Sequence, residues 1–462
     1  MRRTLGALMI AALAACDVGT TGTDGGGIDA SGDGGVDAPR GFVPDRLTMG
    51  QDLPPALPVV KVNVGGATID RDVVVPGTIT VYEAPDATLT DLGAPSLTAP
   101  IGFQGRGNFT WSLPKQGYAF ELQDGQGGDQ ARALLGLPPG SDFALYACYT
   151  DKSCLRNALV FALGQELGRW SPRTRFVELF IDDQYRGIYM IWERIRRGST
   201  RVDLPAPAAA APGDLSGGYI VRHEGGPEGD GSDFQTTAGT WYRFHYPDVT
   251  RISADQAAYV RGAWQAMETA LTADPAGHAA TIDLASWVDR AIVEEVTNNW
   301  DGYVHSIYMT KAADADGGRF GMGPLWDFDL AFANGNVTGY NCRTDTWAYQ
   351  IQRGAPDDVP AYWLALWSDG GFRRAWKCRY QALRAGPLAD ATFAARIAAW
   401  STWMTAARAR DQARWPTIGT PVFPNCTTQP SYEAELTYLR DWITQRLAWL
   451  DGQAAAIAGA CP

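Results

Sequence analysis

Hydrophobic residues alternate with polar ones along much of the first half of the chain. This period of two, punctuated by Gly and Pro, predicts strands at 59–64 and 73–81 and a hairpin across 101–122. A further strand pair is predicted at 176–181 and 187–192. We therefore expect the first half of the chain to be rich in β-structure.

Apolar residues in the remaining segments recur at helical spacing. After the candidate N-cap Asp151, leucines at every fourth position predict a helix that runs to about Arg169. A small β-hairpin, 307–310 with 320–329, is predicted further along. These elements predict an α+β fold with two lobes, a β-rich N-terminal half and a mostly helical C-terminal half. The helices predicted in the C-terminal half are 255–271, 283–299, 390–408 and 433–457.

The N-terminus has the pattern of a bacterial lipoprotein signal peptide. Two arginines precede a short apolar stretch, and Leu13-Ala14-Ala15-Cys16 matches a lipobox, in which Cys16 is acylated. The stretch is too short to span a membrane, so a lipid on Cys16 is the expected membrane tie. An ordinary cleaved signal with an incidental cysteine is the alternative. We expect the protein in the cell envelope, lipid-anchored on the extracytoplasmic side, at the periplasmic face or the cell surface.

Composition divides the chain into four parts. Residues 1–16 are the predicted signal peptide with its lipobox. Residues 17–45 form a Gly- and Asp-rich segment with too few bulky apolar residues to bury a core, so a disordered tether is predicted. Residues 46–100 are the predicted N-terminal β segment, and residues 101–457 are the predicted main domain.

The chain is acidic overall. Its net charge of −12 argues against nucleic acid or anionic lipid as the main partner. The acidic chain also contains a local basic cluster, and the simplest interpretation is that its arginines lie on the solvated surface. The cluster consists of Arg194, Arg196, Arg197 and Arg201.

The cysteines indicate export and disulfide bonding. Seven are present, and six remain when Cys16 is set aside. Six cysteines allow fifteen pairings, and pairing in sequence order is favoured because Cys148 and Cys154 flank a short turn and Cys461 can staple the C-terminus. The order then joins Cys342 to Cys378 and Cys426 to Cys461. The cysteine spacings and four scattered histidines argue against zinc.

Two aspartates stand two residues apart in the apolar segment 323–332. In an extended strand, Asp327 and Asp329 would point to the same face, about 6.5 Å apart. Two carboxylates side by side in apolar surroundings repel each other and are costly to desolvate. They need a cation, which is either a divalent metal or a set of arginine and lysine partners.

A second polar segment, 298–305, adds a candidate catalytic carboxylate. Phosphoryl transfer needs a base or orienting carboxylate, metal-binding oxygens, a cation on the phosphates and a flexible cover. Asp301 follows a predicted helix, and Ser306 stands five residues later, where a kinase catalytic loop has a metal-binding Asn. Asp327 and Asp329 would supply the metal carboxylates. Alternatively, Asp301 caps a turn and the other two aspartates pair with arginines.

Cationic candidates for binding phosphate lie in the β-rich half. Arg106 and Lys115 follow a Gly-rich turn, and Lys152 and Arg156 stand at the start of the predicted Asp151 helix. Glu193 ends a predicted strand. It would either orient a lysine, as in the kinase Lys–Glu pair, or pair with a neighbouring arginine.

An ordered set of dispersed motifs resembles the spore coat protein H (CotH) kinase family over about residues 57–450. The resemblance implies an atypical, secreted or surface-located protein kinase that uses ATP and Mg²⁺ or Mn²⁺. It implies Asp301 as the catalytic aspartate, Asp327 and Asp329 as metal ligands, and nucleotide binding by the motif that contains Asn157. The motifs lie at 106–111 with 114–115, 134–138, 151–157, 176–180, 185–189, 193–195, 299–301 and 324–329.

One position departs from the family pattern. Family members usually have His-Asn where this chain has His305 and Ser306. A hydroxyl is a weaker metal ligand than an amide oxygen, although magnesium tolerates water in its coordination shell. The leading hypothesis is a kinase for Ser/Thr of exported or surface proteins. A catalytically weak or dead kinase-fold scaffold or adhesin is the alternative, and phosphoryl transfer to a small molecule or carbohydrate is a third.

Overall fold

A seven-stranded closed barrel forms most of the N-terminal half. The computed structural model describes residues 44–71, 73–207, 213–337, 339–354 and 358–461. Cys16 and residues 17–43 of the predicted tether lie outside these residues. The barrel strands follow the order β1-β2-β3-β4-β7-β9-β8, and parallel pairing of β1 with β8 closes the ring. The strands are β1 (Val59–Asn63), β2 (Val75–Tyr82), β3 (Leu97–Arg106), β4 (Gly117–Leu122), β5 (Arg132–Leu134), β6 (Leu137–Gly140), β7 (Asp142–Ala147), β8 (Thr174–Ile181) and β9 (Gln184–Glu193), with β5 and β6 in a separate two-stranded sheet.

Apolar side chains at alternate positions of the barrel strands fill the barrel interior. Val60, Val62, Ile79, Phe103 and Ile191 are buried there with their neighbours in one cluster. The hairpin of β3 with β4 and the pair of β8 with β9 confirm the strand predictions in those segments. The α+β class with a β-rich first half is thus confirmed. The two-lobed kinase-like arrangement is not confirmed, because the strands close into a barrel.

A second, five-stranded antiparallel sheet follows the barrel in the sequence. Its order is β11-β12-β10-β13-β14. The predicted strand 320–329 is wrong beyond Met322, because Gly323 adopts a φ of 114° and Pro324 has no N–H for the ladder. Its strands are β10 (Tyr219–Glu224), β11 (Asp233–Gln235), β12 (Trp241–Tyr246), β13 (Ile307–Lys311) and β14 (Phe320–Met322).

Helices dominate the C-terminal half. The helix predicted at 390–408 is two helices that break at Met404. The first helix begins at Arg156 rather than at Asp151, whose Oδ2 nevertheless accepts a hydrogen bond from Arg156 N at 2.9 Å. None of the described helices is both long and apolar enough to cross a membrane. The helices are α1 (Arg156–Glu166), α2 (Ala254–Ala273), α3 (Leu284–Thr297), α4 (Ala361–Ser368), α5 (Gly370–Arg384), α6 (Asp390–Trp403), α7 (Thr405–Arg414) and α8 (Tyr432–Ala456).

One buried core joins the helices to the second sheet and to one side of the barrel. It includes Trp192 of β9, Trp264 of α2 and Trp287 of α3. Trp192 also packs against Trp326, with ring centroids 5.5 Å apart. The barrel is therefore fixed against the segment that carries the paired aspartates.

Three disulfides fasten this framework. Cys148 pairs with Cys154, as predicted. Sequence-order pairing of the other four cysteines is wrong, since the bonds are Cys342–Cys426 and Cys378–Cys461. Chain folding brings together segments 84 and 83 residues apart, with Cα atoms 5.6 and 5.4 Å apart. Both long-range bonds tie the end of the chain to earlier parts of the helical half.

Candidate active site

Two loops meet at one end of the β13–β14 hairpin. Asp301 lies in the turn between α3 and β13, and Ser306 directly precedes β13. Asp327 and Asp329 follow β14. Because β13 and β14 are antiparallel, with Met309 opposite Met322, the loop entering β13 lies beside the loop leaving β14. The hairpin therefore brings the predicted catalytic and metal-binding residues together.

Unusual backbone conformations shape both loops. Asn298, at the C-terminus of α3, has a φ of 44° and ends the helix in the left-handed region. Ser306 and Asp327 also have positive φ values, 54° and 66°. Asp327 is consequently not extended, so the strand argument that placed it on one face with Asp329 is wrong, although the two carboxylates do interact electrostatically.

Short contacts connect the loops to each other and to α1. Ser306 Oγ donates to Asp327 Oδ2 at 3.3 Å, and Asn299 Nδ2 donates to the carbonyl of Asp327 at 3.2 Å. From α1, Asn157 Oδ1 accepts a hydrogen bond from Phe328 N at 2.8 Å. Asn157 thus contacts the backbone of the aspartate loop, and its predicted role in nucleotide binding stays a prediction.

The site concentrates buried negative charge. Burial, followed by the charges of Asp327 and Asp329, raises the pKa of Asp301 well above its usual range, against the opposing effect of Arg353. Burial and then Asp327 likewise raise the pKa of Asp329. Asp301 is 3% exposed and Asp329 is 7% exposed. The carboxylates are therefore poised to gain from a nearby positive charge.

Unsatisfied oxygen atoms favour a hard cation here. Asp301 Oδ1 and Asn299 Oδ1 are buried and accept no hydrogen bond. Within the part of the chain that the structure describes, no three His, Cys, Asp or Glu side chains converge to hold a metal by themselves. Magnesium typically uses one or two protein carboxylates and completes its shell with water and phosphate oxygens. The oxygen donors fit such a partial site and do not fit an all-protein cage.

Arg106 is the predicted phosphate-binding cation that lies beside this cluster. Its guanidinium carbon is 5.2 Å from the centroid of the Trp326 ring and 5.8 Å from that of Trp192. Trp326 directly precedes Asp327. Arg106 therefore contacts the residue that directly precedes the paired aspartates, and a cation over aromatic rings is stabilised by their electron-rich faces.

The two lysines form contacts with the C-terminal half. Lys115 is buried, and its Nζ lies 2.7 Å from Asp411 Oδ1 on α7. Lys152 Nζ donates to the carbonyl of Thr420 at 2.6 Å. Burial lowers the pKa of both lysines. These contacts tie the barrel and the loop before α1 to the helical half, and a phosphate-binding role for either lysine stays a prediction.

Arg156 supports the site from behind. Its side chain is buried, and Nη1 donates to Asp151 Oδ1 at 2.6 Å and to Glu435 Oε1 at 3.2 Å. Nε donates to the carbonyl of Ala331 at 3.1 Å. Arg156 therefore fixes the chain just after Asp329 to α1 and α8, and its predicted role as a phosphate ligand stays a prediction.

Glu193 pairs with arginine rather than lysine. Its carboxylate accepts hydrogen bonds from Arg173 Nε at 2.6 Å and from Arg173 Nη2 at 2.7 Å. Of the two partners that the sequence left open, the structure selects the arginine. The pair is a buried link between the start of β8 and the end of β9, and a catalytic role for Glu193 stays a prediction.

Glu224 is a site residue that sequence reasoning missed. It ends β10, is 1% exposed, and its Oε2 accepts a hydrogen bond from Ser306 N at 3.4 Å. The same oxygen lies 3.7 Å from His305 Nδ1. Its charge also raises the pKa of Asp301. No sequence signal marked it, because β10 is buried throughout and lacks period-two alternation.

Asp301 lies between a helix and a strand, and Asp327 and Asp329 follow the next strand, an order that is also found for the catalytic and metal-binding aspartates of kinases. Residues 103–450 match the family described as CotH kinase protein. The match covers most of the chain, and the chain belongs to this family. Among curated proteins, none matches it.

Proposed function

We propose that the chain is an exported, lipid-anchored atypical kinase that transfers the γ-phosphoryl group of ATP to Ser/Thr hydroxyls of envelope or surface proteins. The observation that carries the proposal is the Asp301 carboxylate, whose Oδ1 accepts no hydrogen bond and whose pKa is raised by burial and then by the charges of Asp327 and Asp329. A base needs a free oxygen lone pair and a high proton affinity, and Asp301 has both.

Each residue of the site has a distinct role in this proposal. Asp301 accepts the proton of the substrate hydroxyl. At the same time the hydroxyl oxygen forms a bond to the γ-phosphorus, and the bond between that phosphorus and the β–γ bridging oxygen breaks, so that ADP leaves. Asp327, Asp329 and Ser306 would hold Mg²⁺ or Mn²⁺, which when bound neutralises charge on the phosphates. Positive charge held by Asp327 and Asp329 would remove part of the repulsion that, together with burial, raises the pKa of Asp301, and would therefore favour its ionised form.

Arg106 and Glu224 complete the surroundings of the reacting groups. Arg106, beside Trp326, is the candidate cation for the phosphates. Glu224 holds the Ser306 backbone through its amide and keeps the loop entering β13 in place. Because Asn157 binds the amide of Phe328, the aspartate loop is also fixed from α1. Catalysis by positioning and electrostatics requires this kind of fixed frame.

Export and anchoring rest on separate observations. Three disulfides are formed, which favours an oxidising compartment. A lipid on Cys16 would tie the protein to the membrane, and protein substrates on the same side of that membrane are the partners that we propose. Free ATP is scarce there, so the proposal requires either phosphorylation before export or a nucleotide donor other than ATP on that side.

Ser306 favours a second candidate function. Its hydroxyl occupies the position facing Asp327 Oδ2, where an amide oxygen would be a stronger ligand. A weakened metal site is consistent with a kinase-fold scaffold or adhesin that retains the frame without turnover.

Phosphoryl transfer from radiolabelled ATP separates the two candidates. The purified mature protein is incubated with Mn²⁺ or Mg²⁺ and a generic Ser/Thr acceptor protein, and label in both proteins is counted. We expect incorporation by the wild type and its loss in Asp301→Ala and Asp327→Ala. Asp345→Asn, a half-exposed aspartate paired with Arg343, is the matched control and should retain activity. If the wild type neither binds nucleotide nor incorporates label, the scaffold is favoured.

A further inference from the structure

An arginine-lined cavity lies outside the site described above. It has a volume of about 210 Å³ and is bounded by the β6–β7 turn, the segment after β9 and the segment after β12. None of its lining residues has a role in the proposed phosphoryl transfer. Among the described lining residues there is no lysine, and the arginines are Arg196, Arg197, Arg201 and Arg251.

The cavity carries excess positive charge in an acidic protein. Its four arginines face two lining carboxylates, Asp142 and Asp248, which leaves an excess of two positive charges. The chain as a whole carries −12. Behind the lining, Glu193 lies 3.7 Å from Arg201 Nε and Glu121 lies 3.8 Å from Arg196 Nη2. These two carboxylates are balanced by Arg173 and Arg194, respectively. A local field of the opposite sign to the whole molecule attracts anions to this place.

The arginines form a buried base and an exposed rim. Arg201 is buried and donates to the carbonyl of Asp142 at 3.0 Å, while Arg196 Nη2 lies 2.6 Å from Asp142 Oδ1. Arg197 and Arg251 are exposed at the rim. Arg251 Nε is 3.8 Å from Asp248 Oδ2, a longer separation than that of the Arg196 pair. The rim arginines are therefore more accessible to a ligand than the buried base.

Guanidinium groups and cavity size together indicate the ligand. The planar fork of arginine matches the oxygens of a phosphate group, and arginine clusters are a recurrent means of binding phosphorylated peptides. Pockets for drug-sized molecules are roughly 300–1,000 Å³, so a cavity of about 210 Å³ suits a phosphoryl group better than a whole nucleotide.

The cavity also lies close to the carboxylate site. Its wall includes His245, whose ring centroid is 5.0 Å from that of Tyr308. Tyr308 in turn lies 6.3 Å from Trp326, the residue before Asp327. Two ring contacts thus connect the cavity wall to the aspartate loop.

We propose that this cavity binds the phosphoryl group of a phosphorylated serine or threonine side chain in a protein partner. A concave site with arginines as its only lining cations, among the described residues, favours a phosphopeptide over a membrane surface, which is bound by flatter Lys/Arg clusters with apolar residues alongside. The binding is separate from phosphoryl transfer and stands even if the carboxylate site has no kinase activity.

Direct binding of a phosphoserine peptide to the purified full chain tests the proposal. Fluorescence anisotropy compares this peptide with its unphosphorylated form, and inorganic phosphate serves as a competitor. We expect preference for the phosphopeptide, and about a tenfold weakening in Arg197→Gln and in Arg251→Gln, the loss of one charge-assisted contact. Both side chains are exposed, so these variants should fold. Arg343→Gln removes an equivalent exposed charge and should bind as the wild type does.

Three results would overturn the proposal. Equal affinity for the two peptides would show that the phosphoryl group is not recognised. Inorganic phosphate binding as tightly as the phosphopeptide would assign the cavity to the free ion. Binding to vesicles containing phosphatidylglycerol, but not to the phosphopeptide, would assign the arginines to the membrane.

Discussion

Replacement of Arg156 by Met tests whether this residue supports the site or binds phosphate. The change keeps an apolar stem and removes the guanidinium, which is 1% exposed and contacts two carboxylates, Asp151 at 0% and Glu435 at 5% exposure. Burial opposes the charge of Arg156, but Asp151 and Glu435 outweigh it and hold its pKa above the usual range. Arg156 is therefore held in its charged form, and Arg156→Met leaves both acids buried without their cation.

Removing one partner of such a buried pair costs about 3–5 kcal/mol. This is a large share of the roughly 5–15 kcal/mol by which native proteins are stable. Urea unfolding, followed by tryptophan fluorescence and circular dichroism, measures the loss. Arg343→Met is the matched control. Its ion pair with Asp345 is 55% exposed on both sides, so about 1 kcal/mol or less is expected.

A double variant shows where the cost arises. The double variant Arg156→Met/Asp151→Asn removes both the buried cation and one of its buried carboxylates. It should therefore be more stable than Arg156→Met alone. The supporting role would be refuted if Arg156→Met were as stable as Arg343→Met and yet bound ATP more weakly. Arg156 would then be a phosphate ligand after all.

Three further changes test neighbouring parts of the account. Burial lowers the pKa of His223 to about 3, from 6.5, so only the unfolded chain binds that proton at intermediate pH and stability falls as pH falls from 6.5 toward 3. In His223→Gln, the slope of unfolding free energy against pH in this range should be smaller than in the wild type by about 1.4 kcal/mol per pH unit. Equal slopes in the two proteins would contradict this prediction. Ser306→Asn suits the φ of 54° and should raise ATP turnover, and an unchanged rate would show that the amide is not limiting. Glu193→Gln should lower the unfolding free energy by about 3 kcal/mol with ATP affinity unchanged, whereas weaker ATP binding at unchanged stability would restore its catalytic role.

Local patterns were sufficient to predict many of the strands and helices. Period-two alternation is a property of adjacent residues, so the β3–β4 and β8–β9 pairs were predicted. Asp301, Asp327 and Asp329 were also found from their immediate neighbours. The β10 strand was not, because it is buried on both faces and shows no alternation. Glu224, at its end, was missed for the same reason.

The remaining errors arise from contacts between distant parts of the chain and from one local backbone conformation. Asp411 is 296 residues from Lys115, and no pattern near either one indicates the ion pair. Similarly, Cys342 and Cys378 bond to partners more than 80 residues away, against the expected sequence order. Asp327 has a positive φ that residue type does not reveal, so the strand geometry assumed for it was wrong.

Calorimetric titration of ATP with Mn²⁺ tests the central claim most directly, because it requires no protein substrate. The wild-type chain is predicted to bind ATP only when Mn²⁺ is present. Asp327→Asn and Asp329→Asn should weaken that binding at least tenfold, while Asp345→Asn should leave it unchanged. Metal-independent ATP binding, or undiminished binding in both site variants, would contradict a metal-nucleotide site built on these carboxylates.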